Sequence, residues 1–202
     1  MSPVLITAAG NPVNQDRGVI IHEGSRIILC VADGAGGRSG GTEAAVMATE
    51  FLRQNASRAV SADACMELLR EMDAVTAKDT IAGETTCALA VVTPDEIFGA
   101  SVGDSGAWLI PEAGSFLDLT LGQQRKPFIG SGAAWPMPYG HPVQNGILLL
   151  ATDGLLKYTS AERIIETCRQ CSIEQAAQQL IELVRYASGT LPDDVTVILA
   201  GL

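Results

Sequence analysis

The sequence predicts an α+β fold, a four-layer α-β-β-α sandwich in which two antiparallel sheets are flanked by helices. The first observation behind this prediction is the order of the segments, which runs three strands, two helices, a group of strands, two helices and a last strand. Strands grouped in this way do not alternate with helices as a doubly wound parallel fold requires. The second observation is that several strand-like runs are almost continuously apolar, so they should be buried on both faces.

Strands are predicted where short apolar runs, many of them rich in Val, Ile and Leu, end at Gly or Asp. These runs are far too short to span a bilayer. They are residues 3–8, 18–21, 26–32, 86–92, 96–102, 106–110, 146–152 and 194–200.

Three stretches have the spacing of amphipathic helices. Residues 40–54 carry apolar side chains on one face after a glycine-rich entry, and residues 62–72 repeat the pattern. Residues 173–186 form the clearest stripe, with the period of about 3.6 residues that a helix requires. Ser172 and Gln175 form a capping box in front of this stripe.

The remaining segments complete a single predicted domain, residues 1–202. Thr159 and Glu162 form a second capping box, which predicts another helix before Ser172. Residues 111–145, rich in Gly and Pro, are the one long irregular stretch, and we expect a loop over a functional site there. No internal repeat, low-complexity segment or linker is evident, and 202 residues fit one domain.

The charge balance excludes one class of partner. The formal net charge is -10 and the pI is about 4.5, whereas a nucleic-acid-binding surface would need a basic patch. A soluble acidic surface is the simplest interpretation. Part of the negative charge could also be local and held by a cation in the folded protein.

Cysteine usage and the N-terminal sequence predict a cytoplasmic, soluble protein without a membrane partner, and we expect it to be a monomer. The five cysteines are an odd number with no regular framework, which indicates a reducing compartment. Cys168 and Cys171 form a lone CxxC, and two further zinc ligands are not evident nearby. The chain does not start with the basic and apolar regions of a signal peptide.

Five short acidic signatures occur where a predicted strand meets a loop. A carboxylate supplies an oxygen ligand for a hard cation, and a following Gly lets backbone and water approach closely. Each Asp alone could be an ordinary turn residue. Together, the five predict one composite metal centre. They are Asn14-Gln15-Asp16, Asp33-Gly34, Gly103-Asp104, Asp153-Gly154 and Asp193-Asp194.

Taken in order, these signatures and their surroundings resemble the metal-dependent protein phosphatases of type 2C over nearly the whole chain, as a compact bacterial-type member. The resemblance implies two antiparallel sheets between helices, which agrees with the fold predicted above. The segments that carry it are NQD at 14–16, VADGAGG at 31–37, GETTCALAVV at 83–92, SVGDSGAWLI at 101–110, LLLATDGL at 148–155 and DDVTVIL at 193–199.

The resemblance also implies residue roles around two Mn²⁺ or Mg²⁺ ions. Asp33 resembles the carboxylate that bridges both metals and Gly34 the residue whose carbonyl binds the first. Asp153 and Asp193 resemble ligands of the second metal. Asp104 resembles the residue that helps to hold a third, weaker metal. Asp16 resembles an acid that supports the catalytic site from behind the ligands.

The implied reaction is hydrolysis of phosphoserine or phosphothreonine in a protein substrate. A water that bridges the metals loses a proton and attacks phosphorus in one step, and no covalent phosphoenzyme forms. The metals lower the pKa of the water and offset the charge that develops.

Three positions depart from the family pattern. Gln15 stands where many members have a metal-linked Glu, and Ala35 stands where some have a His. Asn11 stands where many have an Arg that grips the substrate phosphate, and Asn cannot form the same bidentate contact. Arg17 and Arg38 are the candidate substitutes in substrate binding, although a solvated surface side chain is the simpler interpretation of each.

The departures leave a second interpretation open. The chain could be a catalytically weak or inactive module that binds a phosphoprotein or a regulatory partner. An enzyme should lose turnover when a metal-binding Asp becomes Asn, whereas a binding module should keep its partner affinity through at least one such change.

Overall fold

A computed structural model describes residues 2–35 and 40–202 of the chain. Ten strands and five α-helices are formed in these ranges, with a short 3₁₀ turn at Ala56–Arg58. The strands are β1 (Val4–Ala8), β2 (Asp16–Glu23), β3 (Arg26–Asp33), β4 (Cys87–Val92), β5 (Glu96–Val102), β6 (Gly106–Pro111), β7 (Leu117–Asp118), β8 (Met137–Pro142), β9 (Gly146–Ala151) and β10 (Val195–Gly201). The helices are α1 (Gly41–Asn55), α2 (Ala62–Thr76), α3 (Asp153–Leu156), α4 (Ala161–Gln170) and α5 (Ile173–Leu183).

The strands form two five-stranded sheets in which every neighbouring pair is antiparallel. One sheet has the order β1-β10-β9-β6-β7 and the other β2-β3-β4-β5-β8. The predicted α+β fold with two antiparallel sheets is therefore confirmed.

The two sheets pack against each other through the residues that alternate along each strand. Leu29 and Val31 of β3 share a fully buried cluster with Leu109 of β6, Leu150 of β9 and Ile198 of β10. Successive side chains of a strand point to opposite faces, so the residues between these must be covered from outside.

Helices provide that cover on each side. Cys30, between Leu29 and Val31, packs in a cluster with Leu52 of α1 and Leu68 of α2. On the other sheet, α4 and α5 pack in a cluster with residues of β6, β9 and β10. Burial on both faces explains why the central strands are continuously apolar.

The irregular stretch 111–145 contains two strands that the sequence did not predict. β8 alternates between half-buried and exposed positions and lies at the edge of its sheet. It contains Pro138 and Pro142, which lack a backbone N–H and are tolerated in sheets mainly at edges. The prolines argue against a strand when only the sequence is considered, but the edge position of β8 tolerates them.

The observed helices differ from the predicted ones in several details, and α2 extends to Thr76 rather than ending at residue 72. The capping box of Ser172 and Gln175 is present, but α5 ends at Leu183 rather than at residue 186. α4 is capped by Ser160, whose Oγ accepts from the N–H of Arg163, and not by Thr159. The short helix α3 was not predicted at all. No helix in the described ranges is long and apolar enough to cross a membrane.

Candidate metal centre

The strand pairing brings the five predicted aspartates to one end of the sandwich. Asp33 ends β3 and pairs with Asp16 at the start of β2. Asp104 lies in the turn between β5 and β6, Asp153 begins α3 directly after β9, and Asp193 precedes β10. One carboxylate oxygen from each of Asp33, Asp104 and Asp153 lies within 4.8 Å of the others. Residues far apart in sequence thus meet because their strands end at the same edge.

A cleft of about 720 Å³ opens over this cluster. Asp193, Gln15 and Gly34 line it together with the three clustered aspartates. Its other lining residues are Ala35, Glu84, Thr86, Arg125, Lys126, Pro127, Phe128, Ser131, Lys157 and Asp194.

Asp33 is the electrostatic centre of the cluster. Burial, and then the negative charges of Asp16, Asp153, Asp193 and Asp104, raise the pKa of Asp33 from 3.8 to about 9. Without a cation, the low-dielectric surroundings and the four neighbouring negative charges disfavour the ionised form of Asp33. A bound divalent cation would instead stabilise the ionised form.

The backbone of Asp33 is fixed by the segment before β4. The Asp33 N–H donates to Thr86 Oγ1 at 3.0 Å, and its carbonyl accepts from the Thr86 N–H at 2.8 Å and from Thr85 Oγ1 at 2.9 Å. These contacts explain why the GETTC segment contains two threonines, Thr85 and Thr86. They fix the backbone of Asp33 and so set the direction of its carboxylate.

Asp16 lies behind Asp33 and is almost completely buried, with 1% of its surface exposed. Its Oδ2 accepts from Thr152 Oγ1 at 2.7 Å, whereas its buried Oδ1 has no hydrogen-bond partner. Burial, as the largest cause, raises the pKa of Asp16 from 3.8 to about 6. Thr152 was not singled out from the sequence, although it precedes Asp153 directly.

The donor set fits Mn²⁺ or Mg²⁺. The described carboxylates of the cluster offer only oxygen ligands, which both ions prefer. The orphaned Oδ1 of Asp16 and the raised pKa of Asp33 are the features expected of a site that lacks its compensating charge. The residues present therefore suit a hard divalent cation.

The glycines of the two Asp-Gly signatures are required by close packing. A Cβ on Gly34 would lie 2.4 Å from the carbonyl carbon of Gly41, and one on Gly154 would lie 1.9 Å from the carbonyl oxygen of Asp194. Any side chain there would displace the backbone next to Asp33 or Asp153. These glycines allow the strands and helices that carry the aspartates to approach each other.

Asp193 and Asp194 have separate environments. Asp194 is buried, with Oδ1 accepting from the N–H groups of Gly10 (2.8 Å) and Asn11 (3.0 Å) and Oδ2 from that of Gln15 (2.8 Å). Asp193 lines the cleft, and its Oδ1 accepts from Asn11 Nδ2 at 3.0 Å. Both aspartates line the cleft, but the buried Asp194 fastens the loop before β2 to the start of β10, whereas the half-buried Asp193 binds the Asn11 side chain.

The three residues that depart from the family pattern, Asn11, Gln15 and Ala35, lie close to the cluster or line the cleft. Gln15 and Ala35 line the cleft, and the Asn11 amide binds Asp193. Arg17 donates through Nη1 to the carbonyl oxygens of Asn14 (2.9 Å) and Asp16 (2.6 Å) and does not line the cleft. Arg38 lies outside the described residues. A substrate-binding role for either arginine stays a prediction.

Three cations among the described lining residues were not predicted from the sequence: Arg125, Lys126 and Lys157. Arg125 Nη2 lies 2.8 Å from Asp104 Oδ2, and Lys157 Nζ lies 3.7 Å from Asp153 Oδ2. Arg125 and Lys126 belong to the stretch expected to form a loop over a site, but neither composition nor periodicity marks them individually. Lys157 could have been found from its i,i+4 spacing to Asp153.

Asp73 of α2 anchors the part of this loop that follows Phe128. Its Oδ1 accepts from the N–H groups of Gly130 (2.8 Å) and Gly132 (2.9 Å), and its Oδ2 accepts from that of Ala134 (3.0 Å). Asp73 is buried, so these bonds replace its hydration shell.

Replacing Asp73 with alanine is expected to destabilise the protein by about 1–3 kcal/mol, because three partly buried N–H groups lose a charged acceptor. Urea unfolding of the metal-free protein measures this change. The matched control is Glu67→Ala on the same helix, whose exposed ion pair with Arg70 should contribute about 0–1 kcal/mol. Equal effects of the two substitutions would contradict the anchoring role of Asp73.

The metal-free protein is expected to lose stability as the pH rises from about 6 to about 9. The unfolded chain has released the Asp33 proton above its pKa of 3.8, whereas the folded protein keeps it up to about pH 9. Unfolding therefore releases a proton in this window, and raising the pH lowers the free energy of unfolding. The expected fall in Tm is on the order of 10 °C.

Thermal melts in a chelator and in Mn²⁺ measure this dependence. Mn²⁺ should remove most of the fall, because it binds the ionised carboxylates and competes with their protons. A Tm that is independent of pH without metal would show that the carboxylates are not held as close together as described.

Comparisons with known proteins agree with the fold. A sequence model described as protein phosphatase 2C matches residues 8–185. Among curated proteins, none matches this chain significantly.

Solved structures that share the fold include three named phosphatases or regulators. Serine/threonine phosphatase Stp1 from Staphylococcus aureus is 20% identical with a TM-score of 0.83, covering 99% of this chain and 94% of that one. The catalytic domain of the serine/threonine phosphatase PstP, solved with two manganese ions, is 21% identical with a TM-score of 0.82, covering 99% and 97%. PppA, described as a key regulatory component of T6SS in Pseudomonas aeruginosa, is 17% identical with a TM-score of 0.74, covering 100% and 97%.

Proposed function

Since this chain belongs to the protein phosphatase 2C family, we propose that it hydrolyses phosphoserine and phosphothreonine esters in proteins with Mn²⁺ or Mg²⁺ as its cofactor. The observation that carries the proposal is the convergence of Asp33, Asp104 and Asp153 at the base of an open cleft. At 20% and 21% identity, the named serine/threonine phosphatases Stp1 and PstP support the fold, and their substrate class enters as part of this proposal.

Each residue of the cluster has a proposed role toward the cofactor. Asp33 would be shared by two ions, since it lies among four other carboxylates. Asp153 and Asp193 would bind one ion, and the carbonyl of Gly34 the other. Asp104 would help to hold a third, weaker ion. When bound, the ions would supply an activated water and offset the charge that develops on the phosphate.

The surrounding residues keep this arrangement in place. Thr152 donates to Asp16, and Asp16 pairs with Asp33 across the β2–β3 ladder, so the buried acid supports the central ligand. None of the described residues that line the cleft is a cysteine or a histidine. This absence favours direct attack by water over a covalent intermediate on either of those two side chains.

The alternative is a weak or inactive module that binds a phosphoprotein or a regulatory partner. The amide of Asn11 bonds to Asp193, and Gln15 adds no charge to the cleft it lines. Both residues make the site less suited to a phosphate or a second metal than an Arg and a Glu would be. This alternative predicts bound phosphopeptide without turnover.

We further propose a monomeric enzyme that acts in the cytoplasm in phosphoprotein signalling. All five cysteines are free thiols in the structure, which is compatible with a reducing compartment. The formal charge of -10 makes nucleic acid an unsuitable partner.

The test is release of phosphate from a phosphothreonine peptide by purified protein as Mn²⁺ or Mg²⁺ is titrated. We expect saturable, metal-dependent release that is lost in Asp193→Asn, while a phosphotyrosine peptide is a poorer substrate. The matched control is Asp95→Asn, at an exposed turn position between β4 and β5. Binding without release at millimolar metal would favour the alternative, and release that persists in Asp193→Asn would contradict the ligand assignment.

A further inference from the structure

Arg125 lies at the rim of the cleft in direct contact with the acidic cluster. Its guanidinium Nη2 is 2.8 Å from Asp104 Oδ2, and its side chain is 69% exposed while that of Asp104 is 22% exposed. An exposed ion pair of this kind contributes little to stability, so the guanidinium can exchange its carboxylate partner readily.

The other cations of the described lining residues are less suited to bind a phosphate. Lys157 Nζ lies 3.7 Å from Asp153 Oδ2, the carboxylate four residues before it. Lys126 Nζ lies 5.3 Å from the centre of the Phe128 ring. Both carry a point charge, whereas the planar fork of an arginine can donate two parallel hydrogen bonds to a phosphate.

The segment that carries Arg125 is fixed to the cluster just before this residue. The N–H of Gly103 donates to the carbonyl of Gln124 at 2.9 Å, and Gln123 Nε2 donates to the carbonyl of Ser105 at 2.8 Å. These bonds flank Asp104 on both sides, so the turn with Asp104 and the backbone with Arg125 form one unit.

The segment is also fixed just after Arg125. Ile129 and Thr85 exchange both of their backbone hydrogen bonds, at 2.9 and 3.0 Å. Thr85 in turn donates through Oγ1 to the carbonyl of Asp33. Together with the Asp73 anchor, these contacts hold the backbone near Arg125 while its exposed side chain can turn within the cleft.

We propose that Arg125 binds the phosphate group of the substrate, leaving Asp104 to do so. This inference rests on the proposed phosphatase function and names the residue that takes the place of the missing arginine at position 11. Divalent cations at the cluster would neutralise Asp104 and weaken its hold on the guanidinium. A phosphate dianion entering the cleft then becomes the strongest available acceptor for the fork of Arg125.

The test compares wild type, Arg125→Ala, Arg125→Lys and the control Arg163→Ala, whose residue is exposed on α4. Binding of inorganic phosphate and of a non-hydrolysable phosphonate analogue of a phosphothreonine peptide is measured by calorimetry with Mn²⁺ present. Binding of Mn²⁺ alone is measured separately, and peptide turnover gives KM and kcat.

In Arg125→Ala we expect phosphate affinity to fall by about ten- to a hundredfold, which is the loss of two charge-assisted hydrogen bonds. Mn²⁺ affinity should stay equal or rise, because a competing cation has been removed from Asp104. Arg125→Lys should lie between wild type and Arg125→Ala, and KM should rise at least as much as kcat falls. Arg163→Ala should match wild type.

Three results would overturn the assignment: unchanged phosphate affinity in Arg125→Ala, an equal loss of phosphate and Mn²⁺ affinity, or no phosphate binding by wild type. The equal loss would indicate that Arg125 only supports the wall of the cleft. Phosphate binding that depends on Arg125 without any peptide turnover would support the assignment and refute the proposed activity. Peptide turnover that is unchanged in Arg125→Ala would support the proposed activity and refute the role of Arg125.

Discussion

Replacing Asp33 with asparagine is expected to reduce metal-dependent phosphate release by about a thousandfold or more, because the central ligand of the cluster loses its charge. The substitution keeps the shape of the side chain and leaves the contacts of its backbone with Thr85 and Thr86 intact. Phosphate release from a phosphothreonine peptide at saturating Mn²⁺ measures the effect. Retention of more than about a tenth of the wild-type rate would contradict a central role for Asp33.

The same variant should remain folded and, without metal at alkaline pH, be at least as stable as wild type. Burial and four neighbouring carboxylates oppose the charge of Asp33, so the neutral amide removes an unfavourable interaction. A thermal melt in chelator separates this effect from catalysis. A metal-free variant that melts well below wild type would show that lost activity reflects misfolding.

Replacing Asp194 with alanine is expected to lower the free energy of unfolding by about 3–5 kcal/mol. This buried carboxylate accepts from three backbone N–H groups, and alanine would leave all three without their acceptor. Urea unfolding of metal-free protein measures the change. If the alanine variant does not fold, Asp194→Asn serves instead, with an expected loss of about 1–3 kcal/mol because one acceptor oxygen remains.

Asp193→Ala is the matched control for Asp194. Its half-buried carboxylate lines the cleft and accepts from the Asn11 side chain in an exposed bond and from the N–H of Asp194. We expect it to cost less than about 1.5 kcal/mol without metal, yet to weaken metal binding strongly. Equal destabilisation by the two changes would contradict the division of roles between adjacent aspartates.

Most of the sandwich could be predicted because its central strands leave a strong local signal. Runs such as 27–32 and 87–92 are apolar at every position, since one face packs on the second sheet and the other on helices. β8 gave no such signal, because an edge strand accepts prolines and alternates in exposure. The start of α4 was misplaced by one residue because two neighbouring hydroxyl side chains could cap it. Ser160 rather than Thr159 accepts the capping hydrogen bond from the N–H of Arg163.

The candidate site was predictable only in part, for a physical reason. Aspartates at strand ends could be recognised one by one, and antiparallel pairing then brought Asp16 and Asp33 together. The residues around them make contacts with residues far away in the chain, and such contacts produce no regular spacing in the sequence. Asp73 reaches across to the loop after Phe128, and Arg125 is significant only because its loop returns to Asp104.

Calorimetric titration of Mn²⁺ into chelator-treated protein tests most directly whether the carboxylate cluster binds divalent metal. Wild type is expected to bind two equivalents, with a third, weaker one that requires Asp104. Asp33→Asn should lose the two strong equivalents while Asp95→Asn keeps them. Wild-type protein that binds no Mn²⁺, or an Asp33→Asn variant that binds it as tightly as wild type, would contradict the account.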